Sequence, residues 1–274
     1  MVTVLLQCGA LEVRMPLRHL SLRKRGPIAY LALNRPEKGN AIDASVLREL
    51  ADACEAIAAD DEVRVVVLSG GDGPVFCCGW DREALAGDDL QAAARSLGLP
   101  GDPFGCLARL PQPVVCALNG DALSAGLELA LACDVRVAAE GARLGLPETS
   151  MGLLPMAGGT QRLPRIVGRT RALEMILTAE PIDAAEALRV GLVNAVAPRE
   201  QLLAEAEAIA ARIAERGPLA VRYAKEAVQR GLEMPLDQAL RYETDLTIII
   251  QTTEDREEGV RAFLEKRKPE FKGK

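Results

Sequence analysis

Short apolar runs alternate with helical periodicity along the first half of the chain. Runs at 28–34, 63–69, 114–119 and 135–138 are rich in Val, Ile, Leu and Ala, which is typical of buried β-strands. Between the first two runs, apolar residues recur at spacings of three and four, and Asp43 stands where it can cap a helix. The apolar helix positions are Leu47, Leu50, Ala51, Cys54, Ile57 and Ala58. The pattern predicts repeated strand, loop and helix units, and therefore an α/β fold.

Beyond Gly158-Gly159 the pattern becomes helical. One apolar stripe comprises Leu202, Leu203, Ala206, Ile209, Ala210 and Ile213. Pro218 and Pro235 mark two further helix starts, and a last helix runs to about Lys266. We therefore predict an α/β core at 1–200 and a helical region at 201–274 that packs on this core or on a partner subunit. The first 25 residues are expected to form an irregular arm.

Composition fits one globular body with a large core, since 49% of the 274 residues are hydrophobic and 26% are charged. The net charge of −6 provides no global basic field for a nucleic-acid backbone, which argues against nucleic acid as a partner. No apolar run reaches the ~18 residues of a membrane span, so no membrane partner is expected either.

Cysteine and histidine usage restricts the chemistry. The seven cysteines show no CxxC spacing, which favours reduced thiols in a reducing compartment. The single histidine, His19, precedes the first clear strand, so a Ser-His-Asp triad and a His-rich metal site are not expected. Carboxylates must then carry any acid–base chemistry. We expect a cytoplasmic protein, with the mitochondrial matrix as the alternative because basic residues dominate the first 25 positions.

Two glutamates are the best candidates for acid–base chemistry. Glu128 lies in GLELALAC, where apolar neighbours surround it on nearly every helical face, and Glu148 follows Pro147 in a segment with few charges. Taken singly, either is ordinarily a solvated, ion-paired or helix-start carboxylate. If the two converge, they can divide acid and base roles.

Two glycine-rich turns could supply backbone donors beside these glutamates. Residues 123–126 open the helix that contains Glu128, and a second donor could come from the loop at Gly79-Trp80. Two N–H groups that converge on one point form an oxyanion hole, although either segment alone is ordinarily a mere turn.

Taken in order, these segments resemble the crotonase, or enoyl-CoA hydratase/isomerase, superfamily. The resemblance rests on LALNRPEKGNAID, VRVVVLSGGDGPVFCCGWD, PQPVVCALNGDALSAGLELALACDVRVAAE, ARLGLPETSMGLLPMAGGTQRLPRIVG, DAAEALRVGLVNAVAP and EEGVRAFLEKRKPEF, which together cover nearly the whole chain. It implies a spiral of ββα repeats, a C-terminal helical trimerisation region, acyl-CoA thioester substrates, and a homotrimer or dimer of trimers.

The resemblance also implies roles for the candidate residues. The N–H groups of Trp80 and Ala125 would bind the thioester oxygen, Glu128 would take a proton from water, and Glu148 would give a proton to the α-carbon. The reaction would be reversible hydration of a trans-2-enoyl-CoA, with no metal or redox cofactor. Relatives that isomerise double bonds, hydrolyse thioesters or decarboxylate are the alternatives, as is a non-catalytic binding protein of the same fold.

Coenzyme A contacts follow from the same resemblance. Backbone of the turn Gly39-Asn40-Ala41 would meet the adenine, and Phe263 and Lys266 would lie near the nucleotide, often of a neighbouring subunit. A solvated surface lysine is the alternative for Lys266.

Three positions depart from the family pattern. Trp80 stands where Ala is common, Ser124-Ala125 replace two glycines, and Met156 stands where many relatives have Gly. Trp80 either lines the acyl pocket or packs in the core, and Met156 is expected to narrow the site near Glu148.

Overall fold

A six-stranded sheet forms the centre of the computed structural model, which describes residues 17–86 and 102–274. Its strand order is β1-β2-β3-β4-β6-β9, and β5, β7 and β8 form a smaller sheet. The strands are β1 Leu20–Arg25, β2 Ile28–Leu33, β3 Val65–Ser69, β4 Val114–Leu118, β5 Ala122–Leu123, β6 Val135–Ala139, β7 Arg143–Gly145, β8 Ile182–Asp183 and β9 Ala195–Ala197. All four predicted strands are present, with bounds that differ by one or two residues. Their apolar side chains are buried in the sheet.

The first strand corrects one prediction. Residues 20–25 pair antiparallel with β2, from Leu20 opposite Leu33 onwards, so the expected irregular arm is wrong for these positions. Leu20 and Leu22 are buried, whereas Lys24 is held by Asp60 at 2.7 Å and by Glu62 at 2.6 Å. The alternation of buried leucines with polar residues is that of a strand with one solvated face. Residues 1–16, including Cys8, lie outside the described residues.

Eleven α-helices occur in the described part of the chain, with short 3-10 turns at Pro36–Lys38, Pro147–Met151 and Arg199–Gln201. The helices are α1 Ala44–Ala59, α2 Arg82–Leu85, α3 Gly105–Ala108, α4 Ala125–Leu131, α5 Gly159–Val167, α6 Arg169–Thr178, α7 Ala184–Arg189, α8 Leu202–Ala214, α9 Pro218–Gly231, α10 Leu236–Gln251 and α11 Glu254–Glu265. Asp43 caps α1 as predicted, because its carboxylate accepts hydrogen bonds from the Ser45 and Val46 N–H groups.

Helix α8 covers one face of the main sheet. Its buried residues pack against the valines and alanines of β3, β4 and β6, and they are Leu202, Ala206, Ala210 and Ala214. Alanine side chains allow the helix to lie close to the strands. Leu203 is 48% exposed, so the predicted stripe is wrong at that residue. The packing of α8 on the sheet agrees with the expectation that the helical region contacts the core, while the boundary at 200 stays a prediction.

The last three helices expose large apolar side chains in the single chain. These residues are Val228, Leu232, Leu236, Leu240, Ile248, Ile249, Val260, Phe263 and Leu264, each at least 44% exposed. Exposed apolar surface of this extent is typical of an interface with another protein.

The parallel strands β3 and β4 end at one edge of the sheet, and the loops that follow them are linked there. The Asn119 side-chain oxygen accepts from the Gly70 N–H at 2.8 Å, and the Asp121 carbonyl accepts from the N–H groups of Phe76 and Cys77 at 3.1 Å. These bonds hold residues 70–81 beside 119–126. The two glycine-containing segments singled out in the sequence therefore lie side by side.

The described residues contain neither a membrane-spanning helix nor a cluster of metal ligands. No helix of residues 17–86 and 102–274 is long and apolar enough to cross a membrane. Nor do His, Cys, Asp and Glu side chains of these residues gather in a group of three that could hold a metal ion. The six cysteines that the structure describes are all free thiols.

Candidate active site

The loop after β3 contacts the start of α4 so closely that side chains are excluded. A Cβ atom at Gly79, whose φ is +117°, would lie 2.7 Å from the Ser124 Cβ. A Cβ atom at Gly126 would lie 2.4 Å from the carbonyl oxygen of Cys77. Both distances are far below van der Waals contact, so glycine is required at both positions for the loop and helix to meet.

Two unpaired backbone donors flank this contact. Residues 42 and 80 form a parallel bridge in which Ile42 bonds to the Gly79 carbonyl and the Asp81 N–H, which leaves the Trp80 N–H unused by that bridge. Ala125 is the first residue of α4, where N–H groups have no acceptor within the helix. In the described part of the chain, neither N–H donates a hydrogen bond. Each of the two adjacent loops thus carries one such N–H group, and an oxyanion hole formed by the pair stays a prediction.

Glu128 is fully buried within α4, in which every residue is buried, as the sequence predicted. One carboxylate oxygen, Oε1, accepts hydrogen bonds from the Ala157 and Gly159 N–H groups, both at 2.8 Å. The other, Oε2, is buried and has no hydrogen-bond partner among the residues that the structure describes. Burial raises the pKa of Glu128 to about 7, even though the two N–H groups favour the ionised form. The negative charge of the Glu148 carboxyl raises this pKa further.

Glu148 lies in the 3-10 turn Pro147–Met151 and is 1% exposed. Neither of its carboxylate oxygens forms a hydrogen bond in the described part of the chain. Burial raises the pKa of Glu148, and the nearby Ser124 hydroxyl opposes that rise without completing a hydrogen bond. The charge of Glu148 thus acts on the pKa of Glu128, while the convergence of the two carboxyls on one bound molecule stays a prediction.

The number of polar atoms without a hydrogen bond at this site is unusual for a protein interior. Three carboxylate oxygens on two buried side chains have no partner among residues 17–86 and 102–274, although buried polar groups are ordinarily hydrogen-bonded. The nearby Trp80 and Ala125 N–H groups are also unpaired. Carboxyls with raised pKa values and free donors together favour proton transfer to and from a molecule bound between them.

The turn at 39–41 is fixed by the Asn40 side chain. Its amide nitrogen donates to the Gly70 carbonyl at 2.8 Å and to the Phe76 carbonyl at 3.0 Å, and its oxygen accepts from the Arg35 N–H at 2.9 Å. Asn40 also has a φ of +58°, and its side chain is buried. The backbone N–H groups of Gly39, Asn40 and Ala41 are also hydrogen-bonded within the protein, to Pro36, Arg35 and Lys38. The role of this turn in adenine binding stays a prediction.

Phe263 and Lys266 lie at the end of α11, and Phe263 is 81% exposed. No hydrogen bond or ion pair of the described residues joins either side chain to the 39–41 turn. The single chain therefore does not bring these two residues to the other candidates, and their role stays a prediction.

The Trp80 side chain is packed in the core. It is 5% exposed and stacks on Phe104, with ring centroids 6.0 Å apart and an interplanar angle of 12°. Its Nε1 atom is buried without a partner. Met156 is half-buried and adjoins Ala157, a donor to Glu128. The core alternative for the indole agrees with this packing, whereas an effect of either residue on acyl selection stays a prediction.

Sequence reasoning missed a buried arginine that joins two parts of the site. Arg35 is 6% exposed and donates to the Ala41 carbonyl at 2.9 Å, to Asp43 at 2.7 Å and to Asp81 at 3.2 Å. It thereby ties the 39–41 turn to the residue that follows Trp80. In the sequence, Asn34-Arg35-Pro36 signals only a turn.

The chain is similar to known proteins in both sequence and structure. A family model described as Enoyl-CoA hydratase/isomerase matches residues 23–274. The chain is 40% identical to the crotonyl-CoA hydratase of Syntrophomonas wolfei over 94% of this chain and 99% of that protein, and 39% identical to the short-chain-enoyl-CoA hydratase of Clostridium acetobutylicum over 93% and 98%. It superimposes on the crystal structure of an enoyl-CoA hydratase from Bacillus anthracis with a TM-score of 0.89 at 40% identity, covering 94% of this chain and 100% of that one. The predicted fold is confirmed.

Proposed function

Because the chain belongs to the enoyl-CoA hydratase/isomerase family of enzymes, we propose that it adds water reversibly to a trans-2-enoyl-CoA thioester to give a 3-hydroxyacyl-CoA. The names of its relatives in Syntrophomonas wolfei and Clostridium acetobutylicum support an acyl-CoA substrate with a conjugated double bond. The substrate carries its own coenzyme A, and the proposal includes no metal or redox cofactor.

The observation that carries this proposal is the pair of buried, incompletely hydrogen-bonded glutamates. Glu128 presents Oε2 and Glu148 presents both oxygens without a protein partner. A water molecule between them would satisfy part of this capacity. It would also stand beside the loops that carry the Trp80 and Ala125 N–H groups, which suits addition to a thioester bound there.

The proposed reaction divides one water molecule between two carbons. Glu128 in its ionised form removes a proton from water while the water oxygen bonds to the β-carbon of the substrate. The double-bond electrons move towards the thioester, whose oxygen is stabilised by the N–H groups of Trp80 and Ala125. Glu148 gives its proton to the α-carbon on the same face. The proton gained by Glu128 then returns to Glu148 through solvent, so the enzyme is unchanged.

The two retained carboxyls favour hydration over the alternatives on this fold. An isomerase moves one proton between carbons, and a decarboxylase or thioesterase does not need a second acid poised over the α-carbon. Addition of water requires both a base for the water and an acid for the carbon. A non-catalytic binding protein would have no use for two buried carboxyls that cost stability.

We further propose that the complete coenzyme A site needs a second copy of the chain. Backbone at 39–41 would hold the adenine, and Phe263 and Lys266 of a neighbouring copy would complete the site, in a homotrimer or a dimer of trimers. The exposed apolar side chains of α9, α10 and α11 support burial against another copy.

The direct test follows the loss of the conjugated thioester absorbance when purified protein meets crotonyl-CoA and longer trans-2-enoyl-CoAs. Glu128→Gln and Glu148→Gln should each lower kcat at least ~10²-fold, and Glu140→Gln, at an exposed position, should not. The assigned roles also predict changes in the pH profile of kcat. The fall of kcat at low pH should be lost in Glu128→Gln, and the fall at high pH should be lost in Glu148→Gln. Wild-type rates in either variant would exclude the mechanism.

A further inference from the structure

The turn at 157–159 holds the carboxylate of Glu128 in place. Its Ala157 and Gly159 N–H groups both bind Glu128 Oε1 at 2.8 Å, so a small displacement of the turn would move the carboxylate. Gly158 has a φ of +100° and is the N-cap residue that precedes α5. The Gly158 carbonyl accepts hydrogen bonds from the N–H groups of Gln161 and Arg162 at 3.0 and 2.7 Å, which join the turn to the first turn of α5.

The Arg162 side chain adds a further attachment to this turn. Its guanidinium donates to the Ala157 carbonyl at 3.1 Å, and it lies so close to the turn that a Cβ atom at Gly158 would be 2.2 Å from its Nη1. The other terminal nitrogen binds both carboxylate oxygens of Asp102, at 2.8 and 2.9 Å. Planar guanidinium geometry suits such simultaneous contacts, and an ammonium group does not. The guanidinium therefore clamps the turn against Asp102.

We propose that Arg162, held by Asp102, is a positioning residue for the hydration reaction: it fixes the 157–159 turn whose two N–H groups orient Glu128. The inference rests on the proposed function and adds a residue to it. No part of the reacting molecule needs to touch Arg162.

The charges around the turn allow the proposal to be tested through the pKa of Glu128. The charge of Glu148 raises the pKa of Glu128, and the charge of Arg162 lowers it. Asp102 partly neutralises Arg162, and Arg109 in turn lies 3.6 Å from Asp102. Removal of the Arg162 charge should therefore make Glu128 harder to ionise. Removal of the Asp102 charge should make Glu128 easier to ionise, because the Arg162 cation is then uncompensated.

Three variants test the proposal. Arg162→Met should lower kcat at least ~10-fold while KM changes less than ~3-fold, and it should move the acid limb of the kcat profile to higher pH. Arg162→Lys should return that limb towards its wild-type pH but recover only part of kcat. Asp102→Asn should move the limb to lower pH. The matched control is Arg165→Met, on the same helix, because Arg165 is 55% exposed and pairs with Glu233.

A second measurement separates this proposal from the proposed function. The ionisation of Glu128 can be followed by infrared spectroscopy as the pH is varied, in substrate-free protein labelled with 13C-glutamate. The Glu128 carboxyl band is assigned by subtraction of the spectrum of Glu128→Gln. This titration should move in opposite directions in Arg162→Met and Asp102→Asn, even if no enoyl-CoA is hydrated by the wild type. A titration that stays at its wild-type pH in both variants, or that moves equally in Arg165→Met, would overturn the proposal. Should Arg162→Met not fold, Arg162→Lys and Asp102→Asn decide the question in the same way.

Discussion

Replacement of Glu128 by glutamine should make the protein inactive and, above neutral pH, more stable. The glutamine oxygen can accept from the Ala157 and Gly159 N–H groups, as Glu128 Oε1 does, and its amide replaces the unpartnered Oε2. The substitution therefore keeps the shape and the two hydrogen bonds of the side chain. It removes only the need to bury a charge.

The magnitude follows from the pKa. Burial raises it from 4.5 to about 7 in the folded protein. At 1.36 kcal/mol per pKa unit, a difference of 7 − 4.5 corresponds to roughly 3 kcal/mol. Below pH 4.5 both states are protonated and the group contributes nothing. As the pH rises from 4.5 to 7 the unfolded chain ionises first, so the wild type loses this free energy of unfolding, and the loss is complete above pH 7.

The assay is thermal unfolding of wild type and Glu128→Gln between pH 5 and pH 9. For a chain of 274 residues, roughly 3 kcal/mol corresponds to a Tm difference of about 5 °C, which should develop between pH 5 and pH 8 in favour of the variant. Glu140→Gln, at an exposed position, should follow the wild-type curve. Parallel curves for wild type and Glu128→Gln would refute the argument that Glu128 is buried at a cost.

Three further substitutions probe other parts of the site. Gly79→Ala should lower kcat at least ~10²-fold in the crotonyl-CoA assay, because its methyl group would displace the loop that carries the proposed oxyanion donor of Trp80. Gly141→Ala, also at positive φ but with open space around it, is the control. Asn40→Ala should lower the free energy of unfolding by ~2–3 kcal/mol in denaturant titration, since two buried carbonyls lose their donor, and it should raise KM. An unchanged KM would show that the turn does not contribute to coenzyme A binding. Trp80→Ala should broaden acyl-chain preference across a substrate panel, and an identical preference profile would assign the indole to packing on Phe104 alone.

The parts of the fold that could be predicted are those that local pattern determines. The apolar runs became β2, β3, β4 and β6 because strands buried on both faces need no polar alternation. Helix α4 could be recognised as buried because apolar residues surround Glu128 in sequence. The first strand was missed because its outer face is basic, and Lys24 finds its acidic partners 36 and 38 positions away.

The site could be predicted only where the chemistry resides in the named side chain. Glu128 and Glu148 were identifiable as carboxyls out of place among apolar residues. Arg35 and Arg162 were not, because an arginine in a sequence carries no sign of burial. Their acceptors are backbone carbonyls and carboxylates far along the chain, and Asp102 precedes Arg162 by 60 positions. Such contacts depend on tertiary packing, which composition and periodicity do not encode.

The two hydrogen bonds to one oxygen explain how a buried carboxylate can remain a usable base. Full satisfaction of both Glu128 oxygens would lower its pKa and leave no oxygen to receive a proton from water. With no hydrogen bonds at all, burial would keep the group protonated. Among the described residues Oε1 has two donors and Oε2 has none, and burial outweighs the two hydrogen bonds, so the pKa is raised to about 7. The stability cost and the proposed catalytic capacity therefore have the same physical origin, so a substitution that removes the cost must also remove the base.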